Sequence, residues 1–507
     1  MSASANRFVL EITVFISGAL VMVYEIIGSR ILSPFIGTST YIWTSLIGVI
    51  LAALSLGYWL GGRIADRTPD IKILAFAVFL AGGAVSITIL LKDAILSLIA
   101  SAAVGLEIKS VAAALLLFAP ASVLLGFVTP FAVKLKMSSL ADSGKTVGRL
   151  YALSTIGSIV GTFAAGFFLI PFVGSVRTLY LIAGMLFAIS ILLAPFAFTK
   201  LNFAILTLFA LAVSGSEYSA FYMLRKHGLH DIDTEYSRVQ VFQTVESKSG
   251  RKFQALATDP HFVQSAMYFE GDDAVFEYSP YYHLIRHFKP DHKQTLMIGG
   301  AGYTFPREYL RSYPEARIDV VEIDPIMTEI ARRFFRLEDD PRLKIIHEDG
   351  RIFLNHADSG IYDAVLMDAF GSLFSVPYQL TTLEAVRQIS RILKDDGIVI
   401  FNLGSAIRGP GSRFLHAELA TYKKVFPHVY LFKVNAGYTD EQLQNLIIIA
   451  SKSADTPSLQ TSDQEITRLL INIYTKDLPL NSGILTDDLA PVEYYNSFAQ
   501  NIYRPRR

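Results

Sequence analysis

Long apolar stretches dominate the first 220 residues of the chain, whereas charged positions become frequent only beyond Arg225. A run of about twenty apolar residues is long enough to cross the hydrocarbon core of a bilayer as a helix. This pattern predicts a polytopic α-helical membrane bundle of about seven spans, near residues 8–29, 41–61, 71–91, 110–133, 149–170, 176–198 and 201–221. Residues 94–106 are apolar but short, which favours an interfacial or re-entrant segment.

The fifth apolar run is rich in small residues, among them Gly157, Gly161 and Gly166. Small side chains let the backbones of two helices approach each other closely in lipid. We therefore expect this helix to lie inside the bundle.

Shorter patterns follow the apolar part of the chain. Residues 233–245 alternate as a strand does, residues 253–257 predict a second strand, and residues 278–288 predict a helix rich in aromatic side chains. Together they indicate a small β cap with a connecting helix. Between residues 296 and 403, apolar strands alternate with helices, an order that is typical of a parallel sheet with right-handed crossovers.

A glycine-rich turn follows the first of these apolar strands and contains Gly299, Gly300 and Gly302. Glycine lets the backbone approach a ligand closely, and the N-terminus of the helix that follows favours electron-rich groups. Glu322 ends the next strand about twenty residues on, where a carboxylate can accept hydrogen bonds from ribose hydroxyls. Either feature alone is a weak signal, but the two at this spacing predict nucleoside binding.

The third and fourth strands also end in acidic residues. Asp349 lies in a turn with Gly350, and its carboxylate can accept a hydrogen bond from an exocyclic amine such as that of adenine. An alternative is that Asp349 caps the helix expected over residues 351–357. Asp368 follows the fourth strand, where it could hold a cationic amine and take its proton, the alternative being a solvated loop acid.

Ligands of open α/β sheets bind outside the carboxyl ends of the strands. The glycine turn, Glu322, Asp349 and Asp368 all fall at such strand ends. The pattern therefore predicts an α/β Rossmann-like methyltransferase-type domain. The expected organisation is a transmembrane helical domain over residues 1–224, a small β cap with a connecting helix over residues 225–290, and the Rossmann-like domain over residues 291–507.

Composition narrows the picture further. The chain has 507 residues, of which 52% are hydrophobic, and its mean hydropathy of +0.40 exceeds that of an ordinary soluble enzyme. A formal net charge of zero gives no indication of nucleic-acid binding. Cysteine is absent, and the ten histidines show no ligand spacing, so we expect no metal.

Residues 233–452 resemble the spermidine synthases, which are polyamine aminopropyltransferases, and the whole chain resembles their membrane-fused bacterial branch. The similarity is carried by a set of short motifs rather than by one of them. These are Tyr236, Asp259, Gln264, Tyr278, the glycine turn with Arg307-Glu308, residues 321–325, residues 340–342, residues 349–351, Tyr362-Asp363, Asp368, residues 393–397, residues 485–493 and, in the apolar half, residues 148–151.

The resemblance implies transfer of an aminopropyl group from decarboxylated S-adenosylmethionine to putrescine or a related polyamine, with release of methylthioadenosine. It implies that Asp368 is the base for the acceptor amine, that Glu322 binds the ribose and that Asp349 reads the adenine. Other residues implied to line the substrate site are Gln264, Tyr278 and Tyr236. Because soluble relatives are commonly dimers or tetramers, it also suggests a homo-oligomer.

Several of the residues with which the family binds charged amines are replaced in this chain. Gly302 stands where the family has an Asp in its glycine loop, and Gly371 stands where it has a second Asp after the catalytic one. Ser237 replaces a Gln, and Ser279-Pro280 replaces a His-Glu pair. Other acids take over these roles, or the substrate differs, or the activity is lost.

Basic residues cluster over residues 63–72 and residues 134–149, which predicts that both loops are cytoplasmic. Seven spans would then place the carboxyl-terminal domain on the opposite side of the membrane. Adenosyl co-substrates are cytoplasmic, however, and the chemistry of the strand ends is the more specific signal. We therefore expect a multi-pass protein of the cell (inner) membrane, with the lipid bilayer as a partner and the soluble domain in the cytoplasm.

Two other functions fit the same sequence. One is a methyltransferase that uses intact S-adenosylmethionine, because loss of the amine-binding Asp would admit a different cofactor tail. The other is a non-enzymatic transporter or sensor whose soluble domain binds a polyamine or a nucleoside.

Overall fold

The computed structural model describes residues 3–37, 39–102, 104–137, 143–194, 199–246, 249–259, 262–271, 275–369, 376–480 and 483–502. The chain divides into two compact units, Met1–Arg238 and Val239–Arg507. The finer domain boundaries expected at residues 224 and 290 stay predictions.

The first unit is helical. Its elements are α1 (Ala3–Ile36), α2 (Thr40–Arg67), α3 (Ile71–Ser101), α4 (Leu106–Leu117), α5 (Ala119–Gly126), α6 (Val128–Lys136), α7 (Ser143–Ala164) with a π-helical continuation (Ala165–Val173), α8 (Ser175–Leu193), α9 (Lys200–His227) and β1 (His230–Asp233). In the described part of the chain, seven segments are long and apolar enough to cross a membrane. That they span a bilayer remains a prediction.

Two of the expected helical segments differ from the structure. Residues 94–101 continue α3 rather than forming a separate interfacial piece, because no proline or glycine lies between residues 84 and 101. The stretch expected as one span over residues 110–133 is divided into α4, α5 and α6. Pro120 lies at the start of α5, and a proline there cannot donate the hydrogen bond that would continue the preceding helix.

The glycines of α7 allow close contact with α1, as expected. A Cβ atom on Gly157 would lie 2.0 Å from the carbonyl oxygen of Phe15, and one on Gly161 would lie 2.3 Å from that of Ala19. The expectation that this helix lies inside the bundle is nevertheless wrong. Its other face is open, since the side chains of Phe163 and Phe167 are 56% and 65% exposed. A lipid-facing surface is as apolar as a packed one, so hydropathy does not separate them.

The end of the first unit is tied back to its helices. Asp233, the last residue of β1, accepts hydrogen bonds from the backbone N–H of Ser175 (2.8 Å) and from its hydroxyl (3.0 Å). Ser175 is the first residue of α8, and the preceding Gly174 has no side chain to cap the helix. The free N–H groups at a helix start need such acceptors, so Asp233 supplies the missing cap.

The strand expected over residues 233–245 is interrupted. Its first part is β1 and its second is β2 (Arg238–Val245), with a turn over residues 234–237 between them. The Thr234 hydroxyl accepts hydrogen bonds from the backbone N–H groups of Tyr236 and Ser237, which competes with strand pairing. Tyr236 therefore lies in a turn.

The second unit contains a small antiparallel sheet and a large mixed sheet. Its strands and helices are β2, β3 (Lys252–Asp259), β4 (Phe262–Tyr268), α10 (Ile285–Phe288), β5 (Gln294–Ile298), α11 (Thr304–Ser312), β6 (Arg317–Glu322), α12 (Pro325–Phe334), β7 (Leu343–His347), α13 (Gly350–His356), β8 (Tyr362–Met367), α14 (Leu383–Ile392), β9 (Leu393–Ser405), α15 (Arg413–Tyr422), β10 (His428–Lys433), β11 (Gln444–Ser451), α16 (Gln464–Leu470) and α17 (Val492–Ile502). Short 3₁₀ turns are Ser279–Leu284, Tyr378–Leu380 and Pro410–Ser412.

The large sheet has the strand order β10-β11-β9-β8-β5-β6-β7. Strands β5 to β9 pair in parallel, and β11 pairs antiparallel with both β9 and β10. Alternate residues of the parallel strands enter two separate apolar clusters, one on each face. The expected Rossmann-like α/β fold is confirmed, and the expected helix over residues 278–288 is instead a 3₁₀ turn followed by α10.

Candidate functional site

The ends of four parallel strands meet at one edge of the large sheet. The chain leaves β5 toward β6 and β7 and then returns to β8 on the other side of β5, so the strand order reverses between β5 and β8, the place where open α/β sheets bind their ligands. The backbone N–H of Asp368 donates to the carbonyl of Ile298 (3.0 Å), and that of Gly299 donates to Val321 (2.9 Å). On the far side, Glu348 N–H donates to the Glu322 carbonyl (3.2 Å). The four predicted strand ends therefore lie side by side.

The glycine turn is packed tightly by its surroundings. Gly299 has a φ of +97°, and a Cβ there would lie 2.5 Å from the carbonyl oxygen of Asp368. A Cβ on Gly302 would lie 2.7 Å from Ser265, whose hydroxyl accepts the Gly302 N–H (2.9 Å). A Cβ on Gly300 would lie 2.7 Å from the ring of Tyr303. These glycines thus bring the turn against β4 and against the loop that carries Asp368.

Glu322 holds the glycine turn in place. The residue is 8% exposed, and its Oε2 accepts the backbone N–H groups of Gly300 (2.9 Å) and Ala301 (3.0 Å). Its Oε1 accepts the N–H of Asp324 (3.0 Å). Burial raises the pKa of Glu322, and these three N–H groups oppose that rise. The clamp on the turn was not foreseen in the sequence, and ribose binding by the same carboxylate stays a prediction.

Asp349 caps α13, as one of the two sequence interpretations proposed. Its Oδ1 accepts the backbone N–H groups of Arg351 (2.8 Å) and Ile352 (3.0 Å). Capping through one oxygen leaves the other available at the strand end, so reading of an adenine amine stays a compatible prediction. Gly350 has a packing role, since a Cβ there would lie 2.8 Å from a methyl carbon of Ile298.

Asp368 is the carboxylate nearest the switch in strand order. Its Oδ1 accepts a hydrogen bond from the side-chain amide of Asn402 (3.0 Å). Burial raises the pKa of Asp368 to about 6, while hydrogen bonding from Asn402 and from the hydroxyls of Tyr282 and Tyr278 acts to lower it. A carboxyl group that titrates near neutrality can accept a proton in catalysis and release it again.

The predicted substrate-binding residues occupy different places. Tyr278 is 8% exposed and its hydroxyl lies close to the Asp368 carboxylate, so the structure brings these two together. Gln264 lies half-buried on β4, beside the serine that contacts the glycine turn. Tyr236 is 50% exposed in the first unit, and its role stays a prediction. Gly371 lies outside the described residues.

Sequence reasoning missed three polar residues around Asp368. Tyr282 is fully buried, and its hydroxyl lies near the Asp368 carboxylate. Asn402 is 1% exposed on β9, and the Asn445 side chain donates to it from β11. A polar residue inside the apolar run of residues 398–403 was the available signal, because buried polar groups need partners.

Metal ligands do not cluster in the part of the chain that the structure describes, where no group of three or more His, Asp or Glu side chains could hold a metal ion. The arrangement instead offers a tightly held glycine turn, a buried clamp carboxylate and a second carboxylate with a pKa near 6.

Several known proteins are similar to this chain in sequence. Residues 278–458 match the family described as the spermine/spermidine synthase domain. The chain is 28% identical over 246 residues to the polyamine aminopropyltransferase of Vibrio vulnificus, covering 48% of this chain and 77% of that protein. It is 25% identical over 441 residues to polyamine aminopropyltransferase 1 of Streptomyces coelicolor, covering 80% of this chain and 77% of that one. A crystal structure of a probable spermidine synthase from Corynebacterium glutamicum aligns with a TM-score of 0.40 at 22% identity, over 53% of this chain and 93% of that chain.

Proposed function

We propose, from the match of residues 278–458 to the spermine/spermidine synthase domain and from the similarity to polyamine aminopropyltransferases, that the carboxyl-terminal unit transfers an aminopropyl group to putrescine or a related polyamine. The donor is decarboxylated S-adenosylmethionine, and the helical unit anchors the enzyme in a bilayer. One observation carries the proposal: Asp368, with a pKa of about 6, lies against the glycine turn at the switch point of the sheet.

The reaction is a displacement at carbon. The nitrogen of the acceptor amine attacks the CH₂ group bound to the sulfonium, the carbon–sulfur bond breaks, and methylthioadenosine leaves with the electron pair on sulfur. The nitrogen must lose a proton, because an ammonium ion has no lone pair with which to attack. Asp368 takes that proton and passes it to water, and a general base of this kind contributes about 10²–10⁴-fold.

The remaining acceleration comes from alignment. Glu322 holds the glycine turn and would accept the ribose hydroxyls, Asp349 would read the adenine amine, and together they set the reactive carbon in front of Asp368. Tyr278 and Tyr282 supply hydroxyl groups at the same carboxylate for the incoming nitrogen. Gln264, on β4, is proposed to contact the rest of the acceptor.

A product assay tests this function against its competitors. We expect purified full-length protein with putrescine and decarboxylated S-adenosylmethionine to release methylthioadenosine and an aminopropylated amine, measured by mass spectrometry. Release of S-adenosylhomocysteine with intact S-adenosylmethionine would instead identify a methyltransferase. If neither donor gives a product and the protein carries polyamine across liposome membranes, the function is transport rather than catalysis.

Membrane placement needs its own experiment. We propose a multi-pass protein of the cell membrane whose carboxyl-terminal unit faces the cytoplasm, where the adenosyl donor is available. Seven candidate spans and the basic loops at residues 63–72 and 134–149 favour the opposite side. A carboxyl-terminal green fluorescent protein fusion is expected to fluoresce and a phosphatase fusion to stay inactive. The reverse pattern would place the transferase outside the cytoplasm.

A further inference from the structure

We infer that Asn445 is a positioning residue for the proposed base, acting through Asn402 on Asp368. The three side chains form a chain of hydrogen bonds: Asn445 Nδ2 donates to Asn402 Oδ1 (3.0 Å), and Asn402 Nδ2 donates to Asp368 Oδ1 (3.0 Å). Asn402 lies on β9 and Asn445 on β11, the strand that runs antiparallel beside it. The inference deepens the proposed function and rests on it.

The donor and acceptor roles in this series of hydrogen bonds follow from the chemistry of Asp368. An ionised carboxylate can only accept hydrogen bonds, so Asn402 must turn its NH₂ group toward Asp368. The carbonyl oxygen of Asn402 then points the other way, toward β11. Because Asn402 is 1% exposed, water does not replace a missing donor there. Asn445 supplies that donor, and it thereby prevents the Asn402 amide from turning over.

A reversed Asn402 amide would present its oxygen to the Asp368 carboxylate. Two acceptors would then face each other in a buried site, which disfavours the charged form of the acid and raises its pKa further. Asn445 thus keeps the base ionised at neutral pH and keeps one of its oxygens fixed. The other residues at the carboxylate are Tyr278 and Tyr282, which belong to the 3₁₀ turn Ser279–Leu284 and the position before it. Their hydroxyls contact Asp368 and not the Asn402 amide.

This role differs from a purely structural one in its effect on pH dependence. In full-length protein, Asn445→Leu is expected to lower kcat/KM about tenfold at pH 6.5, as loss of a hydrogen bond at a charged group does. The midpoint of its pH profile is expected to move upward from about 6. Asn445→Asp, which offers no donor when ionised, should shift the midpoint at least as far. Asn445→Gln, which keeps the donor, should restore most of the activity.

The control is Asn355→Leu, which alters an exposed asparagine in the same unit and should leave the profile unchanged. Methylthioadenosine affinity, measured by calorimetry, should stay within about twofold in every variant that folds. A lower kcat/KM in Asn445→Leu with an unmoved midpoint would overturn the inference and leave Asn445 a structural residue.

Failure of the proposed function would look different. In that case wild-type protein would show no turnover, and the protonation of Asp368 is followed instead by ¹³C NMR of labelled aspartate carboxyls in the full chain. Asp368→Asn identifies the resonance by its absence. An upward shift of that titration in Asn445→Leu supports the inference, and an identical titration in the two proteins rejects it.

Discussion

Replacement of Asp368 by Asn is expected to lower kcat by about 10²–10⁴-fold while methylthioadenosine affinity stays within about twofold. The amide has nearly the shape of the carboxyl group, but it cannot take a proton from the acceptor amine. The side chain lies at the proposed acceptor nitrogen rather than in the glycine turn, so the donor site is preserved. Steady-state kinetics and calorimetry measure the two quantities.

The matched control for this substitution is Asp395→Asn, which changes an exposed aspartate in the same unit. It should turn over at the wild-type rate. If Asp368→Asn keeps more than about a tenth of the wild-type rate, Asp368 is not the general base.

The same substitution should remove the pH dependence of activity. In the wild type, kcat/KM rises with pH through the Asp368 pKa of about 6 and then levels off, because only the ionised carboxyl accepts a proton.

The contribution of Asp368 to the free energy of unfolding changes with pH in the opposite direction to the activity. A folded-state pKa raised from 3.8 means that the folded protein binds this proton more tightly than the unfolded chain. The carboxyl's stabilising contribution is therefore present below about pH 4 and is lost as pH rises through 6. Asp368→Asn should accordingly raise thermal stability at pH 8 more than at pH 5.

Replacement of Glu322 by Gln should reduce methylthioadenosine affinity by 100-fold or more. One carboxylate receives three backbone N–H groups, from Gly300, Ala301 and Asp324. Glutamine has one accepting oxygen, so its NH₂ group must face at least one of these donors. Each buried donor left unpaired costs about 1–3 kcal/mol, and the glycine turn that binds the nucleoside would loosen.

Calorimetry with methylthioadenosine measures this loss, and thermal unfolding shows how much of it is structural. Glu329→Gln, on the exposed side of α12, is the matched control and should bind normally. Repeating the titrations with the 2′-deoxy and 3′-deoxy analogues separates the two roles of Glu322. If the wild type loses no affinity for either analogue, then Glu322 clamps the turn without accepting the ribose hydroxyls.

The strand ends of the site could be predicted because each depends on local sequence. A short apolar run followed by glycine or an acid determines both the strand and the residue at its tip, as for Gly299 and Glu322. The residues around Asp368 depend on tertiary register instead. Asn402 and Asn445 meet only because β11 runs antiparallel beside β9, and nothing near either residue in the sequence specifies that pairing.

Errors in the helical unit have a similar origin. The exposed Phe163 face of α7 is apolar, and an apolar side chain suits a lipid-facing position as well as a packed one, so hydropathy could not tell the two apart. In residues 233–245 the alternation was real, but the Thr234 hydroxyl captured two backbone N–H groups and turned the chain.

The cap that Asp233 provides to α8 has a consequence for biogenesis. The acceptor for the first N–H of this helix lies 58 positions later in the chain. While the ribosome is still synthesising α9, α8 is therefore already made but lacks that acceptor. This end of α8 therefore gains its cap, worth about 1 kcal/mol, only after residues beyond the last apolar segment have been synthesised. An expression fragment of the bundle should accordingly be cut after residue 238, since one ending at residue 224 would discard a piece of its own scaffold.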